Sequence, residues 1–388
     1  MMIQGKYVFA QLIEFLPSRF FDGIVEKYKG NRYVKHFTCW NQLLVMIFGQ
    51  LSNRDSLREL IISLDAHSQK SYHLGFGKSV TRSNLAKANE SRDYRIFEEL
   101  AYYLIGNARK KLSNDNFEVK GKVYAFDSTT IDLCLSLFWW ANFRKTKGGI
   151  KIHTLYDITT QIPAFVHITD AKVHDVKAMD LIPYESGAYY IFDRGYVDFE
   201  RLYRITQLGS YFVIRSKKNM QFECSEYRPV NASTGVMSDQ VGVLIGFYTL
   251  KHYPKKLRKV VFYDAEMDRT FIFLSNNLEL PPEQIALLYK NRWQIELFFK
   301  WIKQHLKIKS FWGTTENAVR IQIYTAIITY CMVAIVCHDL KLDHSTYEIL
   351  TVLGISLLDK TPIKELFSKI DNNDVKELNC NQLSLNLF

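Results

Sequence analysis

The chain has 388 residues, of which 47% are hydrophobic and 23% are charged. This length allows two or three domains, and the composition excludes a disordered chain and indicates a folded, soluble protein. The formal net charge of +10 favours a nucleic-acid partner, although charge alone does not establish one.

Cysteine spacing and hydropathy argue against several other classes. The six cysteines show no CxxC pairing and indicate scattered core residues rather than a zinc site or a disulfide framework. The amino-terminal stretch lacks the features of a signal peptide, and the most apolar run, 323–337, is shorter than a membrane span requires. We therefore expect a buried helix at 323–337, no membrane association and a reducing cytoplasm.

Residues 1–118 are predicted to form a helical domain. Apolar residues at helical spacing predict helices in 36–53 and 54–64, and Thr81 or Ser83 is a candidate N-cap for a helix within 79–105. Two short helices around the turn at 75–77 resemble a helix-turn-helix with a long connection. A DNA-binding domain and a purely structural bundle both fit this segment.

A strand-rich pattern begins near residue 120 and predicts a catalytic core whose first part spans 119–217. Its elements in chain order are strands at 122–133, 149–158 and 162–171, a short helix at 175–183, a strand at 187–196, a helix at 198–209 and a strand at 210–217. This order predicts an α/β fold, a mixed sheet with helices on its faces, and it is the order of the ribonuclease-H-like fold.

Residues 218–280 interrupt that order. Apolar runs at 241–250, 258–265 and 269–277 predict further strands with no helix between them, hence an all-β insertion. The second part of the core is predicted at 281–345, with a long apolar helix at 315–340. A C-terminal tail, 346–388, follows.

Two aspartates occur in apolar strands of the predicted core. Asp127 lies in "FDSTT" of the first strand and Asp193 lies in "IFDRGY" at the carboxyl end of the fourth. These strands are neighbours in the ribonuclease-H-like topology, so the two carboxylates meet and need a cation between them. Without a Cys or His cluster, a hard ion such as Mg²⁺ fits better than zinc. Singly, Asp127 could also cap a turn and Asp193 could pair with Arg194.

The stretch "YKNRWQIELFFKWIK", 289–303, places one acid among cations. At about 100° per residue, Tyr289, Arg292, Glu296 and Lys303 share one face of a helix, and Lys300 lies beside them. Two interpretations fit: a solvent-facing helix with i,i+4 ion pairs, or a catalytic acid flanked by cations that bind a polyanion. His153, in the second strand, is interpreted as structural.

These motifs together resemble the DDE transposases of the insertion-sequence 4 family. The resemblance covers residues 120–340 and includes the signature Y-x2-R-x3-E-x6-K at 289–303. It implies a transposase that binds the ends of its insertion sequence and catalyses metal-dependent DNA strand cleavage and strand transfer. The implied catalytic residues and metal ligands are Asp127, Asp193 and Glu296, and the implied DNA contacts are Tyr289, Arg292, Lys300, Lys303 and Arg194.

The resemblance also implies cofactors and partners. We expect two Mg²⁺ ions, with Mn²⁺ as a substitute, and double-stranded DNA in the form of terminal inverted repeats and target DNA. A homodimer in the synaptic complex and a nucleoid-associated location in a bacterial cytoplasm follow, whereas ATP is not implied because no GxxxxGK[ST] motif is present. A metal-dependent nuclease without strand transfer and a catalytically silent DNA-binding derivative are the alternatives. The sequence does not decide whether a hairpin intermediate forms.

Overall fold

The computed structural model describes residues 5–77, 80–113, 121–144, 147–216, 220–306, 308, 310–344 and 346–368. The chain divides into two compact units. The first comprises Met1–Ala101, His305–Gly313 and Ile321–Phe388, and the second comprises Tyr102–Gln304 and Thr314–Arg320. The part of the predicted tail beyond residue 368 lies outside the described residues.

The first unit is helical in its described part, and it includes most of the segment 1–118 that is predicted to be helical. Its helices, in whole or in part, are α1 (Val8–Ile13), α2 (Ser18–Lys27), α3 (Cys39–Leu51), α4 (Leu57–Ala66), α5 (Arg82–Ser91), α6 (Arg95–Leu112), α12 (Glu316–Leu340), α13 (Thr346–Ser356) and α14 (Ile363–Ser368). Thr38, Ser56 and Thr81 cap α3, α4 and α5, because each side chain accepts a hydrogen bond from a backbone N–H in the first turn.

Of the two predicted N-cap candidates, Thr81 is confirmed as the cap of α5. One prediction for this unit needs correction. The helix predicted within 79–105 is two helices, since the backbone of Arg92 is extended (φ −78°, ψ 139°) and ends α5. The apolar helix α12 is long enough to cross a membrane by length and composition, but 83% of its most apolar window is buried inside the protein, as in a core helix.

The second unit is built on one mixed sheet, and ten strands belong to it in the described part of the chain. They are β1 (Val123–Leu133), β2 (Asn142–Arg144), β3 (Lys147–Asp157), β4 (Ile162–Asp170), β5 (Tyr189–Phe192), β6 (Tyr211–Arg215), β7 (Phe222–Arg228), β8 (Val236–Leu244), β9 (Leu257–Asp264) and β10 (Arg269–Ser275). Helices α7 (Asp175–Ala178), α8 (Phe199–Gln207), α9 (Phe247–His252), α10 (Pro282–Lys290) and α11 (Trp293–His305) complete the unit.

The order of the strands confirms the predicted fold class. β4 pairs with β3, and the sheet continues as β3–β1–β5–β6. β1, β3 and β4 are antiparallel neighbours, whereas β5 is parallel to both β1 and β6. The apolar faces of β1, β5 and β6 pack against α8. The resulting core contains Phe126 of β1, Phe192 of β5 and Leu202 of α8. This is the ribonuclease-H-like arrangement that the element order predicts.

The strands predicted for the insertion do not form a separate sheet. β10 pairs with β6, and β9, β8 and β7 follow in antiparallel order, so these strands extend the core sheet. The strand predicted at 241–250 is wrong after Leu244, where β8 ends. Residues 247–252 are helical instead, because Gly246 begins a turn and its carbonyl accepts the backbone N–H of Leu250 at 2.8 Å. β2 and β7 were not predicted.

The predicted continuous helix at 289–303 is also wrong. It is two helices, because α10 ends at Lys290 and α11 begins at Trp293. In the intervening turn, the backbone N–H groups of Arg292 and Gln294 donate to carbonyls three residues earlier, at 3.0 and 3.1 Å. The Asn291 side chain donates to the carbonyl of Leu287 at 3.1 Å, which is how Asn competes with regular helical hydrogen bonds.

Candidate active site

The register of two parallel strands brings the two aspartates to one place. Phe126 of β1 lies opposite Phe192 of β5, and Asp127 and Asp193 are the residues that follow them. Both phenylalanines are fully buried, so each strand anchors its aspartate with an apolar neighbour in the core. The carboxylates emerge at the same position along adjacent strands, as the sequence predicts.

Each aspartate has its own hydrogen-bond donors. One carboxylate oxygen of Asp127 accepts the backbone N–H of Ser128 at 2.8 Å, and the other accepts Nη1 of Arg292 at 2.9 Å. Asp193 accepts the hydroxyl of Tyr289 at 2.9 Å. The guanidinium of Arg215 lies 3.8 Å from the same Asp193 oxygen. The two acids are therefore bound by the last turn of α10, through Tyr289, and by the turn that follows it, through Arg292.

Arg292 joins the third acid to the first. Its Nη2 atom donates to Glu296, one turn further along the chain, while its Nη1 atom donates to Asp127. Arg292 is mostly buried, with 15% of its side chain exposed, whereas Glu296 is 56% exposed. One guanidinium thus bridges a strand carboxylate and a helix carboxylate. The i,i+4 pair of the solvent-facing interpretation exists, but Arg292 also contacts the sheet.

The pKa values of the two aspartates are shifted in opposite directions by their surroundings. Burial raises the pKa of Asp127 to about 6, against the lowering effect of Arg292, and the charges of Glu296 and Asp193 raise it further. Burial also acts to raise the pKa of Asp193, but the backbone N–H of Arg194, the Tyr289 hydroxyl and two arginines outweigh it, so this pKa is lowered. Burial and the neighbouring carboxylates therefore oppose the charged form of Asp127, and a cation bound there would favour it.

The donor chemistry of these residues fits a divalent metal ion. All three acids offer carboxylate oxygens, which hard ions such as Mg²⁺ prefer. In the arrangement seen here Arg292 lies between Asp127 and Glu296, and the described residues contain no group of three acidic, His or Cys side chains close enough to hold a metal. The first two acids are brought together, and the third is linked to them through arginine.

The other residues predicted from sequence occupy different environments. Tyr289 is only 8% exposed, and its ring packs against Phe273 with centroids 4.6 Å apart, so it contacts Asp193 from within the protein. Lys303 donates to the backbone carbonyl of Thr130 on β1 at 3.1 Å. Lys300 and Arg194 are exposed. Among the residues predicted to share one helical face, Tyr289 and Lys303 thus make contacts within the protein, whereas Lys300 is exposed.

Sequence reasoning missed three features near the aspartates. Arg215 ends β6, the strand next to β5, and the register Phe192 opposite Ile214 would have placed it beside Asp193. Ser128 donates to Asp175 at 2.7 Å, and Lys151 lies 3.2 Å from the same carboxylate. Nothing in the sequence linked Asp175 to β1 before the fold was known. His153 is fully buried, which agrees with its structural interpretation.

A cleft of about 430 Å³ opens beside these residues. It is bounded by the ends of β9 and β10 and by the α10–α11 turn, and Arg215, Phe271, Arg292, Trp293 and Glu296 line part of it. The guanidinium of Arg215 lies over the ring of Phe271 at 5.7 Å. The site therefore combines carboxylates, arginines and exposed aromatic surface, which suits a charged substrate with flat groups.

Comparisons with known proteins identify relatives of both parts of the chain. Residues 119–332 match the family described as Transposase DDE domain, and residues 4–77 match a domain of unknown function, DUF4372. The chain is 36% identical over 254 residues to "Putative transposase y4zB" of Sinorhizobium fredii, covering 65% of this chain and 70% of that protein.

Two further relatives have similar coverage. One is "Probable transposase for insertion sequence element IS5377" of Geobacillus stearothermophilus, with 29% identity over 64% of this chain and 66% of the relative. The other is "Putative transposase for insertion sequence element IS4SA" of Synechocystis, with 30% identity over 66% and 71%. A cryo-EM structure of a piggyBac transposase synaptic complex with hairpin DNA has a TM-score of 0.46 and 11% identity, over 100% of this chain and 87% of that one.

Proposed function

This chain belongs to the DDE transposase family, whose members cleave DNA and transfer its strands, and we propose that it acts on the terminal inverted repeats of its own insertion sequence. Membership of the insertion-sequence 4 family stays a prediction. The observation that supports the proposal most directly is the adjacency of Asp127 and Asp193 on β1 and β5, with Glu296 tied to Asp127 by Arg292.

DDE transposase domains depend on divalent metal ions, and we assign that role here to Asp127, Asp193 and Glu296. Mg²⁺ is the proposed metal, with two ions bound and Mn²⁺ as a substitute, because the donor set is all oxygen. Such ions would supply activation of an attacking hydroxyl and stabilisation of the leaving 3′ oxygen. The role of the chain would be to hold the three carboxylates where they can bind these ions.

In this proposal the main role of Tyr289 and Arg292 is to position the carboxylates of Asp193 and Asp127. The Tyr289 hydroxyl fixes Asp193 and also favours its charged form, which is the form that binds a metal. Arg292 supplies positive charge between Asp127 and Glu296, and it is close enough to the cleft to donate to a DNA phosphate. Lys300, Lys303 and Arg194 are the proposed phosphate contacts on the surrounding surface.

The protein binds DNA. Which DNA it recognises, with which part of the chain, and in what assembly are proposals. We assign recognition of the element's ends to the helical domain of 1–118, and catalysis to the core of 119–217 and 281–345. Two copies of the chain would hold two ends in a synaptic complex, in the cytoplasm of a bacterium and on its nucleoid. The chemistry needs no ATP.

The test uses the full chain, DNA that carries the element's ends, and Mg²⁺. We expect Asp193→Asn to abolish strand cleavage and strand joining while end binding persists. Asp132→Asn, which changes an exposed aspartate on the same strand as Asp127, is the matched control and should stay active. Cleavage without joining in the wild type would indicate a nuclease, and a band shift without cleavage would indicate a silent DNA-binding derivative.

A further inference from the structure

A second cleft, of about 700 Å³, lies within the first unit. One wall is the loop of residues 28–37 between α2 and α3. The other wall is the face of α5 that presents Asn84, Lys87 and Ser91. We call it the loop–helix cleft. These three residues recur at helical spacing, so they form one continuous side of α5.

The loop–helix cleft is strongly cationic. Lys29, Arg32, Lys35 and Lys87 line it and are all exposed. The acid that lines it is Asp93, whose carboxylate accepts hydrogen bonds from the Arg95 guanidinium at 2.5 and 3.0 Å. Four exposed cations therefore face one neutralised acid, and the complementary partner carries repeated negative charge.

Both walls are held firmly by buried groups. The Gln42 side chain of α3 donates to Asn89 of α5 at 2.7 Å and accepts from Arg92 at 2.9 Å, and all three side chains are buried. Arg92 also donates to the backbone carbonyl of Thr38 at 2.9 Å, next to the end of the loop. These contacts connect α5 to α3 and to the end of the loop, so they fix the two walls of the cleft relative to each other.

The loop itself adopts a constrained conformation. Lys29 and Tyr33 have positive φ angles of 53° and 60°, which cost energy for residues with a side chain. Gly30 lies so close to its neighbours that a Cβ there would be 2.5 Å from Ile96 and 2.7 Å from Cys39. This geometry leaves Tyr33 88% exposed, with the Arg32 guanidinium 4.8 Å above its ring.

We propose that the loop–helix cleft receives the sugar–phosphate backbone of duplex DNA and that α5 reads base edges in the adjacent major groove. Lys29, Arg32, Lys35 and Lys87 would contact phosphates, which gives affinity without sequence preference. Asn84, near the start of α5, has the side chain that pairs with the edge of adenine in the major groove. This inference rests on the proposed function, because the duplex would be the element's end.

The experiment measures binding of the full chain to end DNA and to random duplex DNA in EDTA, over a series of salt concentrations. Arg32→Ala and Lys87→Ala should weaken binding to both DNAs and flatten the slope of log affinity against log salt by about one unit each. Asn84→Ala should instead reduce the preference for end DNA over random DNA, by roughly tenfold, with the slope unchanged.

Arg58→Ala is the matched control. Arg58 is an exposed arginine of α4 that does not line the cleft, so its loss removes one charge elsewhere on the same unit. Equal salt slopes and equal preferences in the cleft variants, the control and the wild type would overturn the inference. If the wild type cleaves end DNA while those variants bind normally, only this inference fails. If the wild type does not distinguish end DNA at all, the proposed function fails with it.

Discussion

A buried ion pair ties the far part of the sheet to the start of α10. Arg258 of β9 and Asp239 of β8 are each only 2% exposed, and two guanidinium nitrogens donate to the two carboxylate oxygens at 2.8 and 2.7 Å. The third nitrogen, Nη1, donates to the backbone carbonyl of Leu280, immediately before the two prolines that begin α10. Arg258→Met keeps much of the side-chain volume but leaves Asp239 buried and unpaired.

The expected cost follows from this geometry. Removing one partner of a buried ion pair costs about 3–5 kcal/mol, because the remaining charge is left without compensation. Replacing both partners with apolar residues is often close to neutral, but here the Leu280 carbonyl would still lose its donor, at about 1–3 kcal/mol. We therefore expect Arg258→Met to lower the free energy of unfolding by about 3–5 kcal/mol, and Arg258→Met with Asp239→Leu to recover part of it.

The assay is urea unfolding followed by tryptophan fluorescence, with a double-mutant cycle on the pair. Arg228→Met is the matched control, because Arg228 also pairs with an acid and donates to a carbonyl, of Leu278, but its partner Glu226 is 51% exposed. An exposed pair contributes about 0–1 kcal/mol, so the control should cost much less. Equal losses for Arg258→Met and Arg228→Met would refute the reasoning.

Three other changes test separate parts of the structure. Tyr289→Phe keeps the ring packing but removes the hydrogen bond to Asp193, so strand cleavage should fall roughly tenfold with end binding unchanged, and normal cleavage would contradict the positioning role. Burial lowers the pKa of His153 to about 4, below its usual 6.5, so the folded state binds fewer protons than the unfolded state between these values. Stability should therefore be lost as pH falls from about 6.5 to 4, by up to about 3 kcal/mol, and His153→Gln should show a shallower pH dependence in metal-free urea titrations. Gly30→Ala should destabilise the first unit by about 1–3 kcal/mol, because the new methyl group overlaps Ile96 and Cys39, and an unchanged thermal midpoint would show that these neighbours move freely.

The sequence predicted the parts of the site that depend on strand order. Asp127 and Asp193 each follow a buried phenylalanine on strands that the ribonuclease-H-like order makes neighbours, and the observed register pairs those phenylalanines. The order of elements was sufficient to make these strands neighbours, and apolar runs located the strands along the chain. The fold class followed from the same elements, whereas the transposase family was inferred from the resemblance carried by the motifs at Asp127, Asp193 and 289–303.

Features set by long-range contacts could not be predicted in the same way. The break at Asn291 depends on a side chain that competes for local backbone groups, and a helical wheel treats 289–303 as one helix. The pairing of β10 with β6 depends on which edge of the core sheet is open, and no local pattern encodes that choice. The i,i+4 pair of Arg292 with Glu296 could be predicted, whereas its second partner, Asp127, is 165 residues away in the chain.

The continuity of the sheet through β7–β10 limits where this chain tolerates changes in length. β10 is hydrogen-bonded between β6 and β9, and α10 begins seven residues after β10 ends, so β10 fixes the point from which the chain enters the helices that carry Tyr289, Arg292 and Glu296. An insertion or deletion between β10 and α10 would shift Glu296 relative to Asp127 and Asp193. The β7–β8 connection lies at the outer edge of the sheet, and added residues there leave the pairing of β10 unchanged. Variation in length among related chains should therefore concentrate in the outer hairpin, while the distance from β10 to Glu296 stays constant.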